Sequence, residues 1–182
     1  MELESREPMD LQAIHWCLRV TARISFVFFL CAFAGRAAAR FWPGAFGRWI
    51  DSRKRTWIAA FAASHTFHLA FIIALAMNLG EATFVHSIRL HGLIGGGFTY
   101  LLIYALALAA AFPDGLKPLQ SDRFQDVAYY LIWAVFALAF LGSVRNSWIN
   151  LPFAIAAVVA LPLRVFAAGE KSKAAGLSPA SR

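Results

Sequence analysis

Residues 56–80, TWIAAFAASHTFHLAFIIALAMNLG, contain no aspartate, glutamate, lysine or arginine. A helix needs roughly 20 consecutive apolar residues to cross the hydrocarbon core of a bilayer, so this segment predicts a transmembrane helix. Three further segments lack these charged residues in the same way, namely residues 90–113, 127–144 and 146–163. Uncharged segments of this length and number are typical of a polytopic membrane protein.

The first span of the chain is less clear than the other four. Residues 24–35 are apolar but short, and the span becomes long enough only if residues 18–39 all lie at membrane depth. Arg19, Arg23 and Arg36 would then have to extend their side chains toward the interfaces. With this segment included, the sequence predicts an all-α bundle of five transmembrane helices, with spans at residues 18–39, 56–80, 90–113, 127–144 and 146–166.

The composition agrees with this architecture. Of the 182 residues, 60% are hydrophobic and only 15% are charged, and the mean hydropathy is +0.60. Five spans take up nearly all of this length, which excludes a soluble catalytic domain within it. We therefore expect a polar N-terminal tail at residues 1–13, a transmembrane domain at residues 14–168 and a disordered cytoplasmic tail at residues 169–182.

The basic residues indicate the orientation of the chain in the bilayer. Six of them lie in the first connection, namely Arg36, Arg40, Arg48, Arg53, Lys54 and Arg55, whereas the second connection offers Arg89 and the fourth Arg145. The positive-inside bias predicts a cytoplasmic first connection, with the N-terminus outside and the C-terminus in the cytoplasm. The net charge of +7 then reflects topology and affinity for a lipid bilayer with anionic head groups, and it does not indicate nucleic-acid binding.

Two histidines, His65 and His68, occupy the second span. A histidine within a membrane helix usually faces the bundle interior and has a partner, and a spacing of three places both on one helix face. Two interpretations stay open: a pair of neutral imidazoles bonded to hydroxyls or backbone carbonyls, or ligands of a haem. Neighbouring histidines on one helix cannot bind opposite sides of one iron, so a second axial ligand would have to come from another helix.

Depth in the membrane indicates where such a ligand would lie. His68 follows the start of its span at Thr56 by about 18 Å at 1.5 Å per residue. The same level falls near residues 139–141 on the fourth span and residues 101–104 on the third, and among these only Tyr104 could bind iron. The other three histidines, His15, His86 and His91, are expected near the outer interface.

Three consecutive glycines, Gly95, Gly96 and Gly97, occupy the third span. Small residues allow two membrane helices to approach closely, so helix packing is the expected role. The alternative is room for a flat cofactor against the backbone.

Four motifs follow one another within residues 21–166, namely TAR, SRKRTWIAAFAASHTFHL, SIRLHGLIGGGFTYLLIYALALAA and RFQDVAYYLIWAVFALAF. Their order resembles the ferric reductase-like transmembrane family, and within it most closely the haem-binding membrane subunits of bacterial methionine sulfoxide reductase systems. The resemblance implies a ferric reductase-like fold in a bacterial-type inner (plasma) membrane. It assigns the family's haem-ligand histidine to His68, thirteen residues after Arg55, whereas His65 has no counterpart.

The sequence departs from the family pattern on a later helix. The family carries two further histidines there, and the equivalent positions hold Ala128 and Leu141. A family helix at the N-terminus is replaced by the polar tail. These departures affect the implied electron transfer more than the implied fold.

Two functions follow from the resemblance. The first is a b-type haem electron-transfer subunit, an oxidoreductase component in which His68 binds the haem iron and His65 is a second cofactor-binding candidate. The sequence shows no flavin or nucleotide site, so electrons would come from a quinol or from a separate redox partner protein. The alternative is a non-catalytic membrane subunit or scaffold that has lost haem, with the cavity filled by side chains such as Phe61, Phe67, Phe136 and Leu141.

Overall fold

The computed structural model describes residues 11–79, 84 and 90–176. The helices α1 (Leu11–Phe41), α2 (Ala45–Ser52) and α3 (Lys54–Leu79) come first, followed by α4 (Leu90–Ala111) and the single turn α5 (Lys117–Gln120). Next are α6 (Asp122–Ser143), a 3-10 turn (Trp148–Asn150) and α7 (Leu151–Gly176). Within the described ranges there is no strand.

Five helical segments are long and apolar enough to cross a membrane: Leu11–Phe41, Lys54–Leu79, Ile94–Ala111, Asp122–Ser143 and Trp148–Ala167. The prediction of an all-helical bundle with five membrane-spanning helices is confirmed at this level. The described helices make the chain compatible with a multi-pass membrane protein.

The two ends of the bundle differ from the sequence-based boundaries. Helix α1 begins at Leu11, seven residues before the predicted span, because no glycine or proline interrupts residues 11–34 and Ile14 is buried. At the other end α7 continues to Gly176, so the first part of the predicted disordered tail, residues 169–176, is helical. Residues 1–10 and 177–182 lie outside the described residues.

The five long helices form a closed ring. Helix α1 packs against α3 and α7, α3 against α4, α4 against α6, and α6 against α7. We call the end that contains residues 36–55 the basic end, and the opposite end, which contains His15, His65 and His68, the histidine end.

Aromatic side chains fill the middle of the ring up to the level of His65. Phe29 on α1 lies with its ring centroid 5.3 Å from that of Phe61 on α3 and 5.6 Å from that of Phe136 on α6. Phe26, Phe29, Phe33, Phe61, Tyr129, Phe136 and Phe140 all belong to this buried cluster. Burial of such large rings is the main packing contribution in this part of the bundle.

The basic end is tied together by Arg164 of α7. Its guanidinium donates to the carbonyl oxygen of Phe33 and to the carboxylate of Asp126, both at 2.7 Å, and lies over the rings of Phe33, Tyr129 and Tyr130. Arg164, a charged residue one helical turn inside the last span, therefore has polar and aromatic partners. Through them it joins α7 to α1 and α6.

Helix α2 is a short helix that the sequence did not predict. Its Gly47 is buried, and a Cβ at this position would fall against the backbone carbonyl oxygens of Trp42 and Ala38. The close approach of α2 to the end of α1 therefore requires glycine. This contact fixes α2 at the basic end.

Candidate functional site

A cavity of about 600 Å³ opens at the histidine end between α1, α3, α4 and α6. Its apolar lining includes Leu18, Ile72, Val135, Phe136, Ala139 and Phe140, and its polar lining includes His15, Arg19, Arg23, His65, His68 and Tyr100. No aspartate or glutamate is found among the described lining residues. The cavity thus combines an apolar interior with a positively charged mouth.

Helix α3 places its two histidines side by side in this cavity. The imidazole centroids of His65 and His68 are 5.2 Å apart and their planes differ by 28°, as the spacing of three residues predicts. Both rings face the interior of the bundle, in agreement with the cost of exposing a polar side chain to lipid.

The ring of His68 is oriented by α1. Nδ1 lies 2.9 Å from the hydroxyl oxygen of Thr21, and the same hydroxyl donates to the carbonyl oxygen of Cys17 at 2.8 Å. A hydroxyl has a single hydrogen, so we assign the Nδ1–H of His68 as the donor to Thr21. Nε2 then keeps its lone pair, which is the arrangement that a metal-binding histidine normally has.

His65 lacks the partner that His68 has. Its side chain is only 8% exposed, and Nδ1 has no hydrogen-bond partner among the described atoms. The ring is held by Tyr100, at a centroid distance of 4.7 Å, and by Phe61 and Phe136. Leaving a buried nitrogen unpaired is costly, so the interpretation of two fully bonded neutral imidazoles fits His68 and not His65.

His15 also lines the cavity, which the sequence interpretation as an interfacial residue missed. It lies on the same face of α1 as Arg19 and Arg23, four and eight residues later, and this spacing is the signal that could have indicated a shared site. The Nη2 and Nε atoms of Arg23 donate to the side-chain oxygen of Asn150 at 2.9 and 3.2 Å, and Asn150 belongs to the 3-10 turn that precedes α7.

The prediction that Gly95, Gly96 and Gly97 pack against another helix is wrong for the described part of the chain. A Cβ built at any of the three meets no heavy atom within 4 Å. Gly96 instead lines the cavity. The alternative, room beside the backbone of α4, agrees with this geometry.

The sequence-based search for a second iron ligand at the level of His68 predicted the region of α6 correctly. It was less accurate for α4. Ala139 and Phe140 line the cavity together with His68, and neither can bind iron. On α4 the hydroxyl of Tyr104 lies 3.0 Å from that of Thr66, which is exposed, so Tyr104 is not placed as a ligand opposite His68.

Of the other candidate positions whose side chains are described, Phe136 lines the cavity, whereas Phe61, Phe67, Ala128 and Leu141 do not. Ala128 is fully buried in the core, whereas Leu141 and Phe67 are 48% and 68% exposed on the outside of the bundle. The expectation that Phe67 and Leu141 fill a former cofactor cavity is therefore wrong, while Phe61 and Phe136 belong to the core. His86 lies outside the described residues, and His91 is in α4 with no described side chain.

No group of three or more histidine, cysteine, aspartate or glutamate side chains is arranged to hold a metal ion within the described residues. A site built from several protein ligands, such as a structural zinc site, is therefore not formed by these residues. Among the described residues, His68 and His65 line the cavity with their imidazoles side by side.

Comparisons with protein-family models, with curated proteins and with solved structures gave no match to this chain. The ferric reductase-like resemblance therefore stays a prediction that rests on the motifs quoted above.

Proposed function

We propose that the histidine cavity binds one b-type haem, with His68 as the axial ligand, and that the chain is a membrane electron-transfer subunit. The observation that carries this proposal is the orientation of His68. Thr21 holds Nδ1 at 2.9 Å, which leaves Nε2 for the iron.

The cavity suits a flat, amphipathic anion. Its volume of about 600 Å³ lies within the range of cofactor pockets, and Gly96 leaves the backbone of α4 open to a planar group. Arg19 and Arg23 line the same cavity, where they would complement the two carboxylates of a haem.

The same geometry supports one haem and not two. Toward the basic end the ring is filled by Phe29, Phe61 and Phe136, and these described side chains occupy the space that a second haem would need. On α6, Ala139 and Phe140 line the cavity with His68 and cannot bind iron, so His68 would be the residue of the described part of this chain that holds the haem iron.

Haem supplies one-electron chemistry when it is bound. The chain would provide its position, its orientation through His68 and Thr21, and an apolar surrounding. Since the sequence has no flavin or nucleotide site, we further propose that the electrons come from a quinol or a separate redox protein.

The test is the absorption spectrum of the detergent-purified protein, produced with ample haem precursor and recorded before and after dithionite. We expect a Soret band that corresponds to one haem per chain and that His68→Ala abolishes. Thr66→Ala is the matched control, because Thr66 lies on the same helix two residues away but faces Tyr104. A colourless wild-type protein would refute haem binding.

The second candidate function is a non-catalytic membrane subunit or scaffold of the same fold. It is favoured by the apolar residues at positions 128 and 141, one buried and one exposed, neither of which can bind haem. A colourless protein that co-purifies at constant stoichiometry with another membrane protein would support this function, whereas a lone haem-loaded chain would exclude it.

We also propose a bacterial-type inner membrane, with the basic end in the cytoplasm. The support is the group of basic residues in the connection between α1 and α3 and the positive-inside bias. Fusion of the C-terminus to green fluorescent protein should give fluorescent cells, and fusion to alkaline phosphatase should give inactive phosphatase. The opposite pair of results would reverse the orientation.

A further inference from the structure

Four aromatic side chains form a continuous strip on the outside of the basic end. From α2 toward the middle of the bundle they are Phe46, Trp49, Trp57 and Phe28, with successive ring centroids 6.1, 5.2 and 6.2 Å apart. Phe46 and Trp49 are 68% and 41% exposed, and Trp57 and Phe28 are half-buried. We call these four residues the aromatic strip.

The strip is held in place by the structure beneath it. The indole nitrogen of Trp57 donates to the carbonyl oxygen of Ile50 at 3.0 Å, which fixes α3 to α2. The close contact at Gly47 fixes α2 to the end of α1. The rings therefore need little reorganisation to accept a ligand.

A guanidinium marks the outer end of the strip. Arg53 lies 5.3 Å over the ring of Trp49, so its side chain and the strip form one surface. Arg48 and Arg55 are exposed nearby, and Asp51 is the one acidic residue within residues 36–55. Basic residues therefore outnumber acidic ones in the segment at this end of the strip, which favours an anionic ligand.

The aromatic strip also extends from the membrane-crossing helices to the short helix α2. Trp57 and Phe28 lie on helices long and apolar enough to cross a membrane, whereas Trp49 and Arg53 lie on or just after the short α2. A ligand that covers the whole strip must have a negative charge at one end and a hydrocarbon chain at the other. A soluble anion would use only the arginine end.

We propose that the aromatic strip and Arg53 bind an anionic phospholipid of the adjacent leaflet. Its phosphate bonds the Arg53 guanidinium, which presents donors matched to phosphate oxygens, and an acyl chain lies along Trp49, Trp57 and Phe28. This site lies at the basic end, apart from the histidine cavity, and does not depend on haem.

The experiment uses the full chain in vesicles of phosphatidylcholine with increasing fractions of a lipid brominated in its acyl chains, which quenches tryptophan fluorescence on contact. Brominated phosphatidylglycerol and brominated phosphatidylcholine are compared. We expect roughly fivefold tighter association of the anionic lipid, as expected for one basic residue at an anionic surface. Equal quenching by the two lipids would refute the proposal.

Variants then locate the site. Arg53→Ala should remove the preference for the anionic lipid, and Trp49→Phe should reduce the quenching that this lipid causes. Arg145→Ala is the matched control, since it removes the same charge from an exposed residue in the connection between α6 and α7, and it should keep the full preference. A preference that survives in Arg53→Ala would overturn the assignment.

Arg53→Lys tests whether the preference for the anionic lipid depends on the stacked guanidinium or on the positive charge alone. It keeps the positive charge but loses the planar group over Trp49, and as a mild change at an exposed position it should leave folding intact, which circular dichroism checks. We expect the preference to fall about twofold or more. An unchanged preference would contradict a role for the stacked guanidinium.

Discussion

The two ends of the bundle use the same five helices in opposite ways. Toward the basic end the space inside the ring is filled by aromatic side chains such as Phe29, Phe61 and Phe136. Toward the histidine end the ring encloses a cavity of about 600 Å³.

Side-chain size explains the difference. The walls of the cavity include Ala22, Gly96 and Ala139, where the filled part has phenylalanine on α1, α3 and α6. Interiors are close-packed wherever the side chains allow it, so a large space whose lining includes these small residues beside His65 and His68 is a specific feature of this end. The comparison teaches that open space and close packing are separated along the bundle axis.

The largest expected effect concerns the filled part. Phe29 is fully buried and contacts rings on α3 and α6, so Phe29→Ala should lower the free energy of unfolding by about 3–5 kcal/mol. Phe67→Ala is the control, since Phe67 is 68% exposed, and it should cost under about 1 kcal/mol. Denaturant-induced unfolding in mixed micelles measures both. Similar losses would contradict the division into filled and exposed rings.

A smaller loss is expected at the close contact that holds α2. Gly47→Ala places a Cβ against two backbone carbonyls and should destabilise the protein by about 1–3 kcal/mol. Gly44→Ala, three residues earlier, has nothing within 4 Å of the new Cβ and should be nearly neutral. The two melting temperatures, measured under one set of conditions, check this difference. Equal values would show that α2 does not pack closely on α1.

The next prediction compares how much the different partners of Arg164 contribute to the free energy of unfolding. Arg164 is 16% exposed and Asp126 60% exposed, so the ion pair itself is well solvated and Asp126→Asn should cost under about 1 kcal/mol. Arg164→Ala also loses the bond to the Phe33 carbonyl and the contacts with three rings, and should cost about 2 kcal/mol. The free energies of unfolding of the two variants measure these contributions. Equal losses in Asp126→Asn and Arg164→Ala would mean that the ion pair accounts for the whole contribution of Arg164.

The sequence was sufficient for features that depend on long, continuous patterns. Runs without charge predicted four of the five spans, and a spacing of three placed His65 and His68 on one inward face. These follow from helix geometry and from the cost of charge in lipid, which act locally on each segment.

Features that depend on contacts between distant residues were missed. Helix α2 is a short helix fixed by the approach of Gly47 to Trp42 and Ala38, which no local pattern reveals. The place of His15 depends on where α1 begins. The glycines were assigned to helix packing because composition alone does not show whether a neighbouring helix is present.

The smallest effect is at the wall of the cavity, where stability and binding should change in opposite directions. Gly96→Ala adds a Cβ that meets no heavy atom within 4 Å, so it should raise the free energy of unfolding by roughly 0.5–1 kcal/mol through helix propensity. Gly96→Leu should fill part of the cavity and lower the haem content. Gly142→Leu is the matched control, because Gly142 is also an unobstructed helical glycine but does not line the cavity. Equal haem contents in the two leucine variants, measured by absorbance per chain, would show that the space beside α4 is not where the haem binds.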